Sequence, residues 1–154
     1  MQLRPSGAFT RPLCPACGFV YYEQPKVGAA TLITESDRLL LLQRADAPWR
    51  GHWNLPAGYL ETNESPSEAA LRETVEETGL EAAIDDVFGV FHFTDDPRGI
   101  GILIVYHARR IGGVLVARPE VSKASWFRAS DIPQVLCGGG HDQAIRAWVR
   151  ASRS

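Results

Sequence analysis

The order of elements along the chain predicts an α+β fold, a mixed-sheet sandwich, and three observations carry that prediction. Two apolar runs joined by a polar turn stand near the start. A capped helix follows a loop rich in Gly, Pro and Asn. Several strand-length apolar runs then lead to a terminal helix, without the regular alternation of a βαβ repeat. At 154 residues the chain is long enough for one domain with its own core. With 45% hydrophobic and 22% charged residues it has the composition of a folded domain, not of a disordered one.

In chain order, residues 1–25 stand apart as a short Cys-containing N-terminal extension. They hold Cys14 and Cys17 and the aromatics Phe19, Tyr21 and Tyr22, and are expected to be irregular and to pack on the main domain. Residues 26–154 make that domain. Val27–Ile33 and Leu39–Leu42 read as a hairpin around the turn Thr34–Arg38. Pro48–Ser65 reads as loop. Ser65-Pro66-Ser67-Glu68 combines a capping residue, a proline at the first helical position and a Glu that closes a capping box. With Gly79 as C-terminal cap, the helix is predicted over Pro66–Thr78. Ala82–Phe93, Gly101–Arg109 and Gly113–Ala117 read as strands, with Trp126-Phe127 as a further short one. After the turn Asp131-Ile132-Pro133 and the run Gly138-Gly139-Gly140, His141–Arg150 is amphipathic, with Ala144, Trp148 and Val149 on one side.

Sixteen Lys and Arg against 18 Asp and Glu give a net charge of −2, so the basic balance of a nucleic-acid binder is missing. No apolar run approaches the roughly 18 to 20 residues of a membrane helix. The first residues carry no apolar stretch behind their basic ones, and three cysteines are too few for a disulfide scaffold. The expectation is a cytoplasmic protein. Phosphate chemistry remains open, because a metal ion can supply positive charge that side chains do not.

The helix over Pro66–Thr78 is where charge concentrates. Advancing about 100° per residue, Leu71, Val75, Thr78 and Thr74 form the expected buried stripe, and Glu73, Glu76 and Glu77 share the opposite face. Like charges three and four apart disfavour a helix, and Glu76 and Glu77 stand at the wrong end for its dipole. Arg72, four residues before Glu76, can pair with one carboxylate but cannot neutralise three. A solvated acidic face is one reading. A hard divalent cation is the other, and the loop before the helix favours it. In Pro56-Ala57-Gly58, main-chain carbonyls can approach the same ion because Gly58 has no side chain in the way.

From Gly58 through Glu64 to Arg72-Glu73-Thr74-Val75-Glu76-Glu77-Thr78-Gly79-Leu80 the chain resembles the Nudix box. Every fixed letter stands at its spacing, and only the apolar position after Glu73 departs, as Thr74. Trp53-Asn54-Leu55-Pro56-Ala57-Gly58 also resembles members of this family, and the likeness covers roughly residues 26–154. The resemblance implies an α/β/α sandwich, the Nudix fold, with its mixed sheet between helices. It implies hydrolysis of a nucleoside diphosphate linked to another moiety, with Mg²⁺ or Mn²⁺. It makes Glu73, Glu77 and the Ala57 carbonyl metal ligands, and lets Glu76 share the metal or assist the water. Arg72 would orient the carboxylates, and Gly58, Glu64 and Gly79 would support the box.

In this family the general base can come from a later loop. Glu120 is the best later candidate, a plain loop glutamate being its alternative, and Asp95 and Asp96 are weaker ones. Arg44 could meet a phosphate or be an ordinary surface arginine, and Trp53, with Trp49, Phe91 and Phe93, could stack a base or belong to the core. Pro97, 17 residues after Leu80, lies near the place of a proline associated with ADP-ribose enzymes. The Ser-Gln-Pro-Trp stretch of NADH pyrophosphatases is absent, which disfavours NADH. Cys14-Pro15-Ala16-Cys17-Gly18 resembles one knuckle of the zinc ribbon that precedes some Nudix domains. A closed zinc site needs four ligands, so a degenerate ribbon without metal is favoured over zinc at Cys14 and Cys17.

The expected function is cleavage of a pyrophosphate linkage, with ADP-ribose or a related ADP-linked compound such as FAD as substrate. A MutT-type pyrophosphohydrolase of (d)NTPs or oxidised nucleotides is the alternative, and a non-catalytic nucleotide sensor the second. The expected partner is a nucleoside diphosphate-linked small molecule, not nucleic acid or membrane, and a homodimer is the default assembly.

Overall fold

The computed structural model describes residues 1–116 and 118–154. Two N-terminal strands, β1 (Gln2–Ser6) and β2 (Phe9–Leu13), pair as a separate antiparallel hairpin. The extension is therefore more ordered than expected. Its cysteines follow in a tight knuckle, in which Cys14 N–H donates to Phe19 O at 2.8 Å and Gly18 N–H to Cys14 O at 2.9 Å.

The main sheet is built around β3 (Lys26–Glu35), whose six residues Gly28–Ile33 are all buried. Such a run suits a strand covered on both faces. Over its length β3 pairs in parallel with β8 (Gly101–Gly113), from Lys26↔Gly101 to Ile33↔Ala108. On its other side it forks. Its first half pairs with β6 (Ala57–Tyr59), and its last residues turn into β4 (Arg38–Arg44). β4 then carries β5 (Trp53–Asn54) and β9 (Val121–Arg128), and β7 (Leu80–Phe93) closes the far edge against β8. The fork splays the two halves of the sheet and opens a cleft where β6 leaves β3.

Strand alternation sorts the two helices onto opposite faces. Ala29 and Thr31 face α1 (Pro66–Thr78), where Ala29, Ala69 and Ala70 form a small-residue contact. Ala30 and Leu32 face α2 (His141–Ser152), in a core with Leu41, Leu55, Ile145 and Trp148. A third cluster, with Ile33, Leu40, Leu42 and Leu80, fills the end of the sheet beyond α1. The α+β sandwich is thus present, with both predicted helices in place. Among the described residues no helix is long and apolar enough to cross a membrane.

Three expectations need correction. The stripe of α1 that meets the sheet is Ala69, Ala70, Thr74 and Thr78, while Val75 is 45% exposed. Small side chains let the helix lie close to β3, so packing favoured them over the larger Leu71 and Val75. The separate strand over Gly113–Ala117 is not formed: β8 runs on to Gly113, residues 114–116 are irregular, and Ala117 lies outside the described residues. Trp126-Phe127 is the end of an eight-residue strand, because the free edge of β4 can pair along its whole length.

Candidate active site

The loop and helix that carry the carboxylates are locally determined. The Ser65 hydroxyl accepts from the Glu68 N–H, and the Glu68 carboxylate accepts from the Ser65 N–H, so the capping box is closed. At the other end Gly79 takes a left-handed φ of 77° and donates its N–H to Val75 O, which ends the helix and leads into β7.

Rotation of α1 by its small-residue stripe separates the three glutamates. Glu76 points outward, with its side chain 55% exposed. Glu73 and Glu77 instead flank the buried face and are carried towards β6. The Glu73 side chain is 17% exposed. Glu77 is half-buried, and its Oε1 accepts the Ala57 N–H at 2.7 Å. Glu73 lies over Gly58, where any Cβ would overlap its carboxylate. The buried Thr74, the one departure within the box, meets a matching polar partner: its hydroxyl is 2.7 Å from that of Thr31 on β3.

Arg72 ties these parts together. Its Nε and Nη2 donate to the two oxygens of Glu64 at 2.9 and 2.6 Å. Nη1 donates to Glu73 at 2.8 Å and to Glu76 at 3.2 Å, and Nη2 also reaches Tyr59 O at 3.3 Å. One guanidinium thus holds the loop against the helix, its planar fork suited to the bidentate pair. The Glu64 carboxyl, hydrogen-bonded to Arg72, is pulled down to about 2, and the Arg72 pKa is raised in return.

Glu77 has the opposite environment. Burial pushes its carboxyl up to about 8; the charges of Glu73 and Glu120 add to the effect, against the Ala57 N–H and Arg44. Burial also raises Glu73. Two neighbouring carboxyls that resist ionisation mark a site short of positive charge. Among the described residues no three His, Cys, Asp or Glu side chains already converge as a metal cluster. The donor set still fits a hard cation: two carboxylates beside main-chain oxygens, over a glycine that leaves no side chain in the way. Glu120 is the one later candidate that stands in this electrostatic neighbourhood.

A cleft opens beside Ala57 and Gly58, and Arg44, Trp49, Tyr59, Arg98 and His141 line it. Arg44 is therefore at the site, with its Nε donating to Pro48 O at 2.8 Å. Trp53 is not among the cleft's lining residues. It packs edge-on against Phe127 at 5.0 Å and joins the core, whereas Trp49 lines the cleft. The register of β5 on β4 places Trp53 at that position. Asp95 and Asp96 are structural: Asp95 accepts the Gly139 N–H at 3.0 Å, and Asp96 pairs with Arg98. Cys137 is buried near the cleft, and burial lifts its thiol to about 12. Cys14 and Cys17 stay together in their knuckle, where main-chain N–H groups hold the Cys14 thiol below its ordinary range. No third ligand joins them among the described residues.

Tyr59, Arg98 and His141 were not singled out by the sequence. Arg98 had a faint signal in an acid two residues before it within a Pro- and Gly-containing loop. His141 had only its place after three glycines. Its Nδ1 accepts the Leu55 N–H at 3.3 Å, so the neutral ring carries its proton on Nε2. Burial pushes His141 down to about 4, with Arg44 and Arg98 in the same direction and Asp96 and Asp95 against it. The unfolded chain takes up this proton from near pH 6.5 downward and the folded one only near 4, so acid removes stability across that window. The loss is about 3 kcal/mol. Urea unfolding at pH 7 and pH 4.5 should show a larger fall for wild type than for His141→Gln. The comparison isolates His141 from Glu77, whose raised pKa acts in the opposite sense.

Comparison with known proteins agrees with this geometry. The NUDIX domain model matches residues 23–149. The ADP-ribose pyrophosphatase of Methanocaldococcus jannaschii is 34% identical over 130 residues, covering 84% of this chain and 76% of that protein. The NAD-capped RNA hydrolase NudC of Stutzerimonas stutzeri is 32% identical over 78% of this chain, which spans 42% of that protein. The crystal structure of a NUDIX hydrolase from Nitrosomonas europaea superposes with a TM-score of 0.84 at 28% identity, covering 97% of this chain and 85% of that one. Fold, carboxylate helix and glycine-backed cleft thus define a class of hydrolases. The chain belongs to the Nudix family and is a Nudix hydrolase.

Proposed function

We propose that the protein cleaves the pyrophosphate linkage of a nucleoside diphosphate derivative, with ADP-ribose or a related ADP-linked compound as substrate. One observation carries the reading: Glu73 lies over Gly58 and Glu77 is held on the Ala57 N–H at 2.7 Å, so two carboxylates flank a side-chain-free backbone where a cation would complete the site. Glu73, Glu77 and the Ala57 carbonyl would hold Mg²⁺ or Mn²⁺, with Glu76 contributing from the outer side. When bound, the ion supplies charge against the diphosphate and lowers the pKa of an attacking water. Arg72 positions Glu73 and Glu76, Arg44 meets a phosphate, and Glu120 takes the proton of the water. Water adds to one phosphorus, and the bridging oxygen leaves with the other phosphate. The likeness to the Methanocaldococcus ADP-ribose pyrophosphatase supports the choice of substrate, and residues 1–25 are read as an accessory extension.

The test is turnover with Mg²⁺ on ADP-ribose, FAD, NADH, a nucleoside triphosphate and oxidised dGTP. Release of AMP from ADP-ribose is expected, and Glu120→Gln should lower kcat by about 100-fold, the scale of a general base. Activity confined to triphosphates would overturn the substrate. Tight binding without turnover at saturating Mg²⁺ would favour the sensor.

A further inference from the structure

Arg98 stands at the cleft in a setting that the hydrolytic chemistry does not use. It lies in the loop between β7 and β8, and the carboxylate of Asp96 grips it three times. The Arg98 N–H and Nε donate to Asp96 Oδ1, both at 2.9 Å, and Nη2 donates to Oδ2 at 2.7 Å. The Asp96 side chain is 2% exposed and that of Arg98 is 42% exposed. The buried acid is an anchor and the guanidinium is its presented end. Nη1 has no partner in this pair. The guanidinium carbon lies 5.6 Å from the centre of the Tyr59 ring, and Lys26 Nζ lies 5.1 Å from the same ring.

Arg98 lines the same cleft as Arg44, Trp49 and His141, between apolar walls, Phe93 and Leu103, and an aromatic one, Tyr59. Donors there include Arg98 Nη1, His141 Nε2–H, and the indole N–H of Trp49, which is buried without a partner. The charge of Arg98 is already matched by Asp96, so a second phosphate gains little there. A flat, neutral group with acceptors on its edge suits the surroundings better.

We propose that Arg98, held by Asp96, is a specificity-determining residue that reads the acceptor edge of the nucleobase in the cleft. The proposal rests on the reading of this cleft as the nucleotide site, but not on hydrolysis. An arginine edge discriminates between bases because their ring nitrogens and carbonyls differ in number and place.

The experiment is calorimetric titration of AMP, GMP, UMP and CMP without divalent metal into wild type, Arg98→Ala and Arg98→Lys. The double variant Asp96→Ala/Arg98→Ala guards against an effect of leaving Asp96 buried and unpaired. Wild type should favour one base over the weakest by about tenfold or more, and both alanine variants should compress that spread to about threefold. Lys should restore it only in part, because it lacks the planar fork. With the preferred diphosphate substrate, Arg98→Ala should raise KM about tenfold and leave kcat within about twofold. Uniform wild-type binding, an unchanged ranking in the variants, or a fall in kcat alone would overturn the proposal. If wild type hydrolyses nothing on the panel while the variants still lose base preference, the hydrolytic reading falls and this one stands.

Discussion

Glu77→Gln is expected to lower kcat by about a thousandfold or more while the fold is retained. The replacement has the same shape, and its amide oxygen can still accept the Ala57 N–H. What it loses is the negative charge that a divalent ion would meet, and electrostatic contributions in such sites are large. A second readout separates this from a general loss of structure. A carboxyl raised to about 8 from 4.5 contributes its full stability below pH 4.5 and loses it as pH rises towards 8. Metal-free Glu77→Gln should therefore be as stable as wild type at pH 4.5 and more stable at pH 8. Mg²⁺ should raise the melting temperature of wild type by mass action and leave the variant unmoved. Retained turnover, or equal Mg²⁺ stabilisation of both proteins, would sink the ligand role of Glu77.

The parts of the fold that local chemistry determines were legible in the residues. Ser65, Pro66 and Gly79 mark the ends of α1 because capping and a left-handed terminus depend on neighbours in sequence. The continuous apolar run of β3 shows burial on both faces for a similar reason. Pairing over long distances was less legible. β8 extends to Gly113 because β7 offers it a partner through several bulges, and nothing near Ile111 announces that partner. The rotation of α1 was hidden because hydrophobicity ranks Leu71 and Val75 above Ala70 and Thr74. Close approach to a strand ranks them the other way.

The same distinction divides the site. The carboxylates, Arg72 and the glycine lie within one contiguous stretch, so their spacing alone brings them together. Arg44 reaches the cleft from the end of β4 and the charge of Glu120, just before β9, is felt at Glu77; both were visible only as candidates. Trp53 lies on the short strand β5 and Trp49 in the loop before it, a division that sequence does not fix; the core takes Trp53 and the cleft Trp49. Arg98 comes from the β7–β8 loop and His141 from the first residue of α2, and the two segments meet through the Asp95–Gly139 hydrogen bond. Such a meeting follows from the folded topology, not from composition or period.

Gly58→Ala is expected to separate activity from stability. Strand pairing with Ala29 fixes the backbone at Gly58, so an added Cβ cannot retreat. It would overlap the Glu73 carboxylate, and Glu73 Cγ would lie only 2.8 Å from it. The end of a glutamate can move, so the fold should survive at a cost of about 1 to 2 kcal/mol. But the displaced carboxylate is the one that Arg72 holds, and Arg72 in turn holds Glu64 and Glu76. One methyl group therefore disturbs the network as a unit. A shift of about 1 Å in such a group can cost 100-fold, and kcat/KM should fall by about that factor or more. Mn²⁺ affinity, read by electron paramagnetic resonance, should fall with it. Gly28→Ala is the control on the neighbouring strand, where the new Cβ would meet Leu103 Cδ1 at 3.3 Å and no carboxylate. It should leave Mn²⁺ affinity unchanged. If Gly58→Ala keeps activity and Mn²⁺ affinity within about threefold of wild type, then the approach of Glu73 to the glycine is not what the site requires.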